Sequence, residues 1–207
     1  MYTPEAFAER RPAALYGLMR AHPLATVVIA HPSQGLVANL LPWSVDEEQG
    51  LLRGHVARGN PLWQLVGEGH TALSLFQGPQ AYVSPSLYPS KAEHGRVVPT
   101  WNYAVVQAHG RLRAVTDRDW LLTLVHTLTD GHEAGRPRPW RVDDAPLDYL
   151  DGMLRAIVGL EFRIERLEGK FKLSQNRDGR DRDGVMRGLA GSALGDLMAM
   201  GPAPDGT

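Results

Sequence analysis

The sequence predicts one α+β domain centred on an antiparallel β-barrel, and three observations support this prediction. Short β-branched segments are separated by turn residues, beginning with residues 25–30. Small apolar and polar residues alternate over residues 104–114, as they do in the long strands of barrels. Helical patterns flank these strands without an internal repeat or a domain-scale linker, so residues 1–207 are expected to form a single domain.

Alternation and turn residues place the predicted elements along the chain. The predicted strands comprise 25–30, 35–45, the strand within 52–60, 71–76, 80–84, 98–115 and 160–165. The predicted helices comprise a short one after Thr3-Pro4-Glu5, one over 15–19, Leu62–Val66, one capped by Asp117, one over 148–157, and a last one within 185–198. The first three strands are expected to form an antiparallel meander, and Gly78-Pro79 to interrupt a strand.

Composition narrows the class of protein. The hydrophobic content of 43% and the charged content of 22% are typical of a globular chain. The absence of cysteine excludes disulfides and thiolate chemistry, and it fits a cytoplasmic protein. No apolar run approaches the roughly 18 residues that a membrane span needs, so we expect no membrane contact.

Charge and motifs exclude several functions. The formal net charge of −1 and the lack of consecutive basic residues argue against a broad DNA-binding face. His132-Glu133 lacks the second histidine of a metalloprotease pair, so we expect no metal site. No nucleophile elbow, phosphate loop or dinucleotide fingerprint occurs, and no catalytic residue is assigned.

The polar corner at the end of the 52–60 strand is the first candidate site. Arg58 offers a planar fork that matches a phosphate, and Gly59 would let a ligand approach the main chain. The helix expected after Pro61 would add an amide without an intrachain partner. The alternative is a turn between two core elements whose arginine is solvated.

Three further stretches have two interpretations each. The loop 85–96 is either functional or a surface excursion. Trp101-Asn102-Tyr103 either surrounds a planar ligand or begins a core strand. The cluster Lys170–Arg177 either reaches a ligand, including one on a partner subunit, or belongs to a solvated C-terminal segment that ends in a frayed tail from Gly201 onward.

Several motifs in one order carry a resemblance to a known family. They are Met1-Tyr2-Thr3-Pro4, Gly54 to Pro61, Gly78 to Ser86, Tyr88 to Lys91, Val98 to Tyr103, Ile157-Val158-Gly159, and Lys170 to Asn176. With them, the chain resembles the PaiB family of FMN-binding negative transcriptional regulators. It departs from that family at Gly59, where alanine is common, and at Leu87, where tryptophan is common.

The resemblance implies a six-stranded Greek-key split barrel with peripheral helices, the FMN-binding split barrel of pyridoxamine-phosphate oxidases and small flavin reductases. It also implies a homodimer with two FMN sites at the interface. The phosphate would lie on Arg58 and Asn60. The implied cofactor-binding residues are Asn39, Leu40, His55, Val56, Ala57, Arg58, Asn60 and Tyr82, with Lys172, Ser174, Gln175 and Asn176 from the neighbouring subunit.

The function implied by the resemblance is FMN-dependent regulation of transcription, acting on DNA directly or through a regulatory protein partner. The alternative is a flavin-dependent oxidoreductase, because hydride transfer by a bound flavin needs no acid–base motif in the sequence. A third interpretation is a flavin- or heme-binding module that stores or senses without turnover.

Overall fold

A computed structural model of the chain describes residues 1–201. The tail predicted beyond Gly201 lies outside the described residues. Eight strands occur in the described part, two more than the six that the family resemblance implies. They are β1 Ala8–Glu9, β2 Leu24–His31, β3 Gly35–Pro42, β4 Ser44–Asp46, β5 Leu51–Ala57, β6 His70–Val83, β7 Thr100–Val115 and β8 Ile157–Lys172.

All these strands belong to one sheet with the order β3-β2-β6-β7-β8-β5-β4, and β1 pairs with β8. The pairings β1–β8, β2–β3, β2–β6, β4–β5 and β5–β8 are all antiparallel. The predicted meander is present, but its second strand, predicted over 35–45, is divided into β3 and β4: β2 pairs with β3, and β4 pairs with β5. The further pairing of β5 with β8 was not predicted. Turn residues showed where the chain reverses, but strand partners are chosen by distant segments.

Seven α-helices occur among residues 1–201. They are α1 Pro12–Ala21, α2 Leu62–Val66, α3 Ser90–His94, α4 Arg118–Glu133, α5 Leu147–Arg155, α6 Gly179–Gly188 and α7 Ala193–Met200. Short 3₁₀ turns cover Glu5–Phe7, Pro85–Leu87 and Val142–Asp144. The Asp117 carboxylate caps α4 as predicted, since it accepts the Trp120 amide at 2.8 Å.

The described residues group into two compact units. The first unit contains residues 1–18, 77–106 and 168–201. The second contains Met19–Phe76 and Gln107–Leu167. β6, β7 and β8 each contribute residues to both units, so neither unit is a continuous piece of chain.

Three predicted boundaries are wrong. β6 continues through Gly78-Pro79, because β2 pairs with it only at residues 72–75 and the N–H that Pro79 lacks is not needed in that ladder. β8 extends to Lys172, well past residue 165. The predicted last helix is two helices, separated by a turn with Gly191 at φ 77°.

The alternation in β7 has the predicted direction. Ala104, Val106, Ala108 and Leu112 are buried, whereas Arg111 and Arg113 are exposed. The period of two therefore identified the core face of this strand correctly. The core also contains Phe162 of β8 and Trp43, whose indole N–H donates to Ser74 at 3.0 Å.

Candidate functional site

The polar corner lies where β5 ends, in the second unit. The Asn60 amide donates to Ala57 O at 2.8 Å and closes a turn, which leaves Arg58 and Gly59 exposed at its tip. α2 follows over Leu62–Val66, as the sequence predicted. The strand–corner–helix order is therefore present.

Arg58 is exposed but not merely solvated. Its Nε and Nη2 donate to the carbonyls of Arg155 and Ile157 at 2.6 and 2.9 Å, and its main-chain N–H donates to Ala156 O at 2.8 Å. These bonds fix the guanidinium against the chain between α5 and β8. They use two of its five side-chain N–H groups, so three remain for an anion.

The Asn60 side chain mainly forms hydrogen bonds within the protein that hold the corner in place. Its Oδ1 accepts the Leu62 amide at 2.9 Å, and its Nδ2 donates to Asn39 Oδ1 at 2.8 Å. The Leu62 amide is therefore already satisfied, contrary to the expectation that this helix start would offer a free amide. One N–H of Asn60 remains. The bond to Asn39 brings two of the predicted site residues together.

The neighbouring residues of β5 differ in what they offer a ligand. The Val56 side chain is buried in the core, so only its main chain is near the corner, whereas Ala57 is exposed. Burial lowers the pKa of His55 below its ordinary value of 6.5, so the imidazole is neutral at pH 7. Its buried Nδ1 has no hydrogen-bond partner among residues 1–201. It is a polar atom that a ligand or water can satisfy.

The Lys170–Arg177 cluster lies in the first unit and is not a solvated tail. Lys170 and Lys172 belong to β8, and Phe171, Leu173 and Ser174 are buried. Lys172 Nζ donates to Thr100 Oγ1 and to Trp101 O, the latter at 2.8 Å. Burial lowers the pKa of Lys172 below its ordinary value, and the charges of Lys170 and Arg177 act in the same direction.

Most polar groups of residues 172–176 hold the segment itself in place. Gln175 Oε1 accepts the Leu173 amide at 2.6 Å, and its Nε2 donates to Phe171 O. Ser174 has φ 63°, an uncommon conformation for a residue other than glycine. Asn176 is exposed and makes no side-chain hydrogen bond within the described chain.

Asn102 is a residue of this region that the predicted site omitted. It is fully buried on β7, and its Nδ2 donates to Ser174 Oγ at 2.8 Å. Its buried Oδ1 has no partner among residues 1–201. The sequence did indicate that Asn102 is buried, because it has the inward parity of Ala104 and Val106. A buried amide must form hydrogen bonds, so Asn102 was a candidate for a specific polar contact.

Tyr82 lies on β6 beside Trp101 of β7. Their ring centroids are 6.1 Å apart with an edge-to-face angle of 68°, and both side chains are about half exposed, at 51% and 55%. Trp101 therefore does not enter the core, and the pair presents aromatic surface to solvent. No three His, Asp or Glu side chains in the described part of the chain converge as metal ligands.

Leu40 belongs to an exposed sheet face of the second unit. Alternate residues of β2 and β3 lie side by side on this face, with Thr26 opposite Leu40, Val28 opposite Ala38 and Ala30 opposite Leu36. The other face of β2 is buried. None of the helices within residues 1–201 is long and apolar enough to cross a membrane.

Comparison with known proteins gives consistent results. Residues 1–166 match the model of the family described as "Putative FMN-binding domain". An uncharacterized protein of Emericella nidulans, AN0679, is 35% identical, with 91% of this chain and 90% of that protein covered. Protease synthase and sporulation protein PAI 2 of Bacillus subtilis is 29% identical, with 91% and 89% covered.

The FAD and heme binding protein from Mycobacterium smegmatis has a similar solved structure. Its TM-score is 0.60, with 19% identity, and the likeness covers 80% of this chain and 73% of that one. The fold class is thus the α+β FMN-binding split barrel. The free N–H groups at the corner and the orphan His55 nitrogen fit a phosphate-bearing, hydrogen-bonding cofactor. The chain belongs to the PaiB-like family of FMN-binding domains, and FMN is its cofactor.

Proposed function

We propose that this chain is a regulatory protein that binds FMN as a homodimer, with the FMN phosphate on the corner formed by residues 55–60. The observation that carries the phosphate assignment is the geometry of Arg58. Its guanidinium is fixed by two carbonyls and still has three unused N–H groups at an exposed turn. A preorganised fork of this kind loses little conformational entropy when an anion binds.

Two other groups add donors at the same turn. The Gly59 amide makes no hydrogen bond within residues 1–201, and Gly59 belongs to no strand. The remaining Asn60 N–H lies next to it in the chain. Together these groups offer the charged and neutral donors that phosphate oxygens accept. FMN, once bound, supplies the redox chemistry, whereas the chain binds and orients it.

The homodimer proposal rests on the exposed face of β2 and β3. Leu24, Leu36 and Leu40 on this face are 59%, 79% and 65% exposed. The eight positions of the face carry no charge: Leu24, Thr26, Val28, Ala30, Leu36, Ala38, Leu40 and Pro42. An uncharged apolar face of two strands is typical of a surface that a second protein covers. A second copy of this chain is the occupant that we propose.

The face and the corner share strand β3, although the side chains of Leu40 and Asn39 lie on opposite faces of it. Leu40 follows Asn39, and Asn39 is the residue that accepts the hydrogen bond from Asn60. A partner that covers Leu40 would therefore lie near the FMN phosphate. This arrangement supports a cofactor bound where two subunits meet, with residues 172–176 of the partner subunit contributing the second side of the site.

The regulatory role is supported by the name of the Bacillus subtilis relative. That protein is named for protease synthesis and sporulation, which are two separate programmes. The similarity to this chain covers 89% of its length. Such a name favours a regulatory role rather than catalysis of a single metabolic step. A second function, FMN-dependent oxidoreductase, is favoured by the exposed Tyr82–Trp101 pair, which offers a flat substrate a surface to stack on.

The first test is an FMN titration of the wild type and Arg58→Ala by visible absorbance. We expect saturable binding that the substitution weakens by about 1.5–3 kcal/mol, the usual contribution of a hydrogen bond to a charged group. Arg163→Ala is the control, because Arg163 is exposed and its side chain has no hydrogen-bond partner in the described chain. Equal affinity of Arg58→Ala and the wild type would contradict the phosphate assignment.

The second test concerns the dimer. Leu36→Glu places a charge on the apolar face and is expected to give a monomer in analytical ultracentrifugation, with weaker FMN binding. Leu147→Glu is the matched control, because Leu147 is 80% exposed but lies on α5, away from this face. A Leu36→Glu protein that stays dimeric would exclude this face as the interface.

The third test separates the two functions. A regulator that acts on DNA directly should bind promoter fragments with an affinity that falls steeply with salt. An oxidoreductase should oxidise a nicotinamide cofactor only when FMN is bound, and it should ignore DNA. Turnover without DNA binding would favour the second function.

A further inference from the structure

The predicted loop 85–96 contains the 3₁₀ turn Pro85–Leu87 and helix α3, and a buried hydrogen-bonded pair joins it to helix α6 in the first unit. The Asp181 carboxylate accepts the Ser90 N–H at 3.1 Å and the Ser90 hydroxyl at 2.6 Å. Asp181 is 3% exposed and Ser90 is 8% exposed. A buried carboxylate is costly unless its oxygens are bonded. The pair is therefore a specific attachment and not an incidental contact.

Close packing adds to this attachment. A Cβ on Gly184 would overlap the main-chain oxygen of Leu87, and a Cβ on Gly188 would overlap the Leu87 side chain. These two glycines are four residues apart, so they lie on one face of α6. Leu87 is thus seated in a groove of the helix that only glycine permits.

A third contact joins the stretch 85–96 to the residue that follows the segment 172–176. The guanidinium carbon of Arg177 lies 4.8 Å from the ring centroid of Tyr88, which is buried. Arg177 directly follows Asn176. The loop is therefore attached to the chain both immediately after the segment 172–176 and four residues later, at Asp181.

These contacts fix the C-terminal end of the segment 172–176, whose N-terminal end is fixed by β8. Between them, Ser174 is held at φ 63° and is buried. A segment in an uncommon conformation persists only where its surroundings enforce it. Residues 167–201 lie beyond the stretch that the family model matches.

We propose that Asp181 is a positioning residue for FMN binding: by holding the loop 85–96 through Ser90, it fixes residues 172–176 in the conformation that meets the cofactor. This inference rests on the proposed function, in which residues 172–176 contact FMN. Asp181 itself does not touch the cofactor. The loop is then neither a lid nor a surface excursion but a support for the ligand-binding segment.

The experiment measures two properties of Asp181→Asn, Ser90→Ala and the control Arg180→Gln. The first is the FMN dissociation constant, taken well below the unfolding temperature of each protein. The second is the rate of tryptic cleavage after Lys91 and Arg96, which are exposed residues of the loop. Arg180 is a matched control, because it lies next to Asp181 and forms an ion pair with Glu93 that is solvent-exposed.

We expect Asp181→Asn and Ser90→Ala to bind FMN about tenfold more weakly or worse, as for a lost hydrogen bond to a charged group. Cleavage of the loop should accelerate to a similar degree. Arg180→Gln should stay within about twofold, because exposed ion pairs contribute little. Ser90→Thr, which keeps the hydroxyl, should recover most of the affinity and the protease resistance, which a loss of overall stability alone would not explain.

Two results would overturn the proposal. Faster cleavage with unchanged FMN affinity would show an attachment that does not position the segment. Unchanged cleavage and unchanged affinity in both variants would show that the pair holds nothing. Failure of the wild type to bind FMN is a different outcome, because it would contradict the proposed function itself. If Asp181→Asn does not fold, Ser90→Ala alone decides the question.

Discussion

The corner of residues 55–60 and the segment of residues 172–176 are both polar, but they are held in different ways. The corner is exposed, and its side chains bind the main chain of residues 155–157 and the amide of Leu62. In the segment, Leu173 and Ser174 are buried. Ser174 bonds Asn102, about 70 positions away, and Gln175 bonds the main chain of Phe171 and Leu173. The corner has unused hydrogen-bond donors, whereas most polar groups of the segment form hydrogen bonds that hold its own conformation.

This difference implies different sensitivities. Substitutions at the corner should change ligand affinity with little effect on folding. Substitutions at the buried residues of the segment should change stability first, because their polar groups bond specific partners within the protein.

The largest expected effect is that of Ser174→Val. A β-branched residue at φ 63° is strained, and Asn102 loses its buried acceptor. We expect the free energy of unfolding to fall by about 2–4 kcal/mol, measured by urea denaturation. Ser174→Gly removes the hydroxyl but relieves the backbone, so it should lose less. Equal losses for both variants would mean that the backbone of Ser174 is not strained.

Asn102→Leu should come next. It leaves the Ser174 hydroxyl buried without its donor, which costs about 1–3 kcal/mol of unfolding free energy. Asn176→Leu is the comparison, because Asn176 is exposed and should change stability by less than about 0.5 kcal/mol. If the two variants were equally stable, the segment would not depend on Asn102.

A smaller effect is expected from pH at the corner. Burial lowers the pKa of His55 below 6.5, so the unfolded chain binds this proton more readily than the folded chain. Stability should therefore decrease as the pH falls from about 6.5 toward the folded pKa, and His55→Gln should flatten this decrease. The measurement is the unfolding temperature between pH 8 and 5. His109 keeps part of the slope, since burial lowers its pKa as well. If the unfolding temperature of His55→Gln depended on pH as steeply as that of the wild type, His55 would not contribute to the pH dependence.

Gly59→Ala should have the smallest effect. A Cβ at this position meets nothing within 4 Å, and φ is not in the left-handed region. We expect stability to rise by about 0.4–1 kcal/mol, through the unfolded chain, with FMN affinity unchanged. Calorimetry and the absorbance titration measure the two. A tenfold loss of affinity would restore the sequence-based view that the ligand needs glycine here for close approach to the main chain.

The sequence predicted features that depend on neighbours in the chain. The bounds of α2, the Asp117 cap and the inward face of β7 follow from capping residues and from a period of two. The polar corner was found for the same reason. The family resemblance, and not the residue pattern, supplied the cofactor.

Features that depend on distant residues were missed. The position of β5 between β8 and β4 is decided by pairing across about 100 residues. The carbonyls that fix Arg58, the bond from Asn102 to Ser174 and the attachment of Ser90 to Asp181 have the same origin. A local pattern carries no information about which remote strand or helix supplies the partner.

The division of each unit among separate stretches of chain has a consequence for synthesis. The first unit includes residues 1–18, 77–106 and 168–201, so it cannot be completed until residues 168–201 have left the ribosome. Its first 18 residues must wait while about 150 others are made. A chain ended after residue 166, where the family match stops, would also end within β8. Such a chain should remain a substrate for chaperones and proteases, although it contains every residue of the corner.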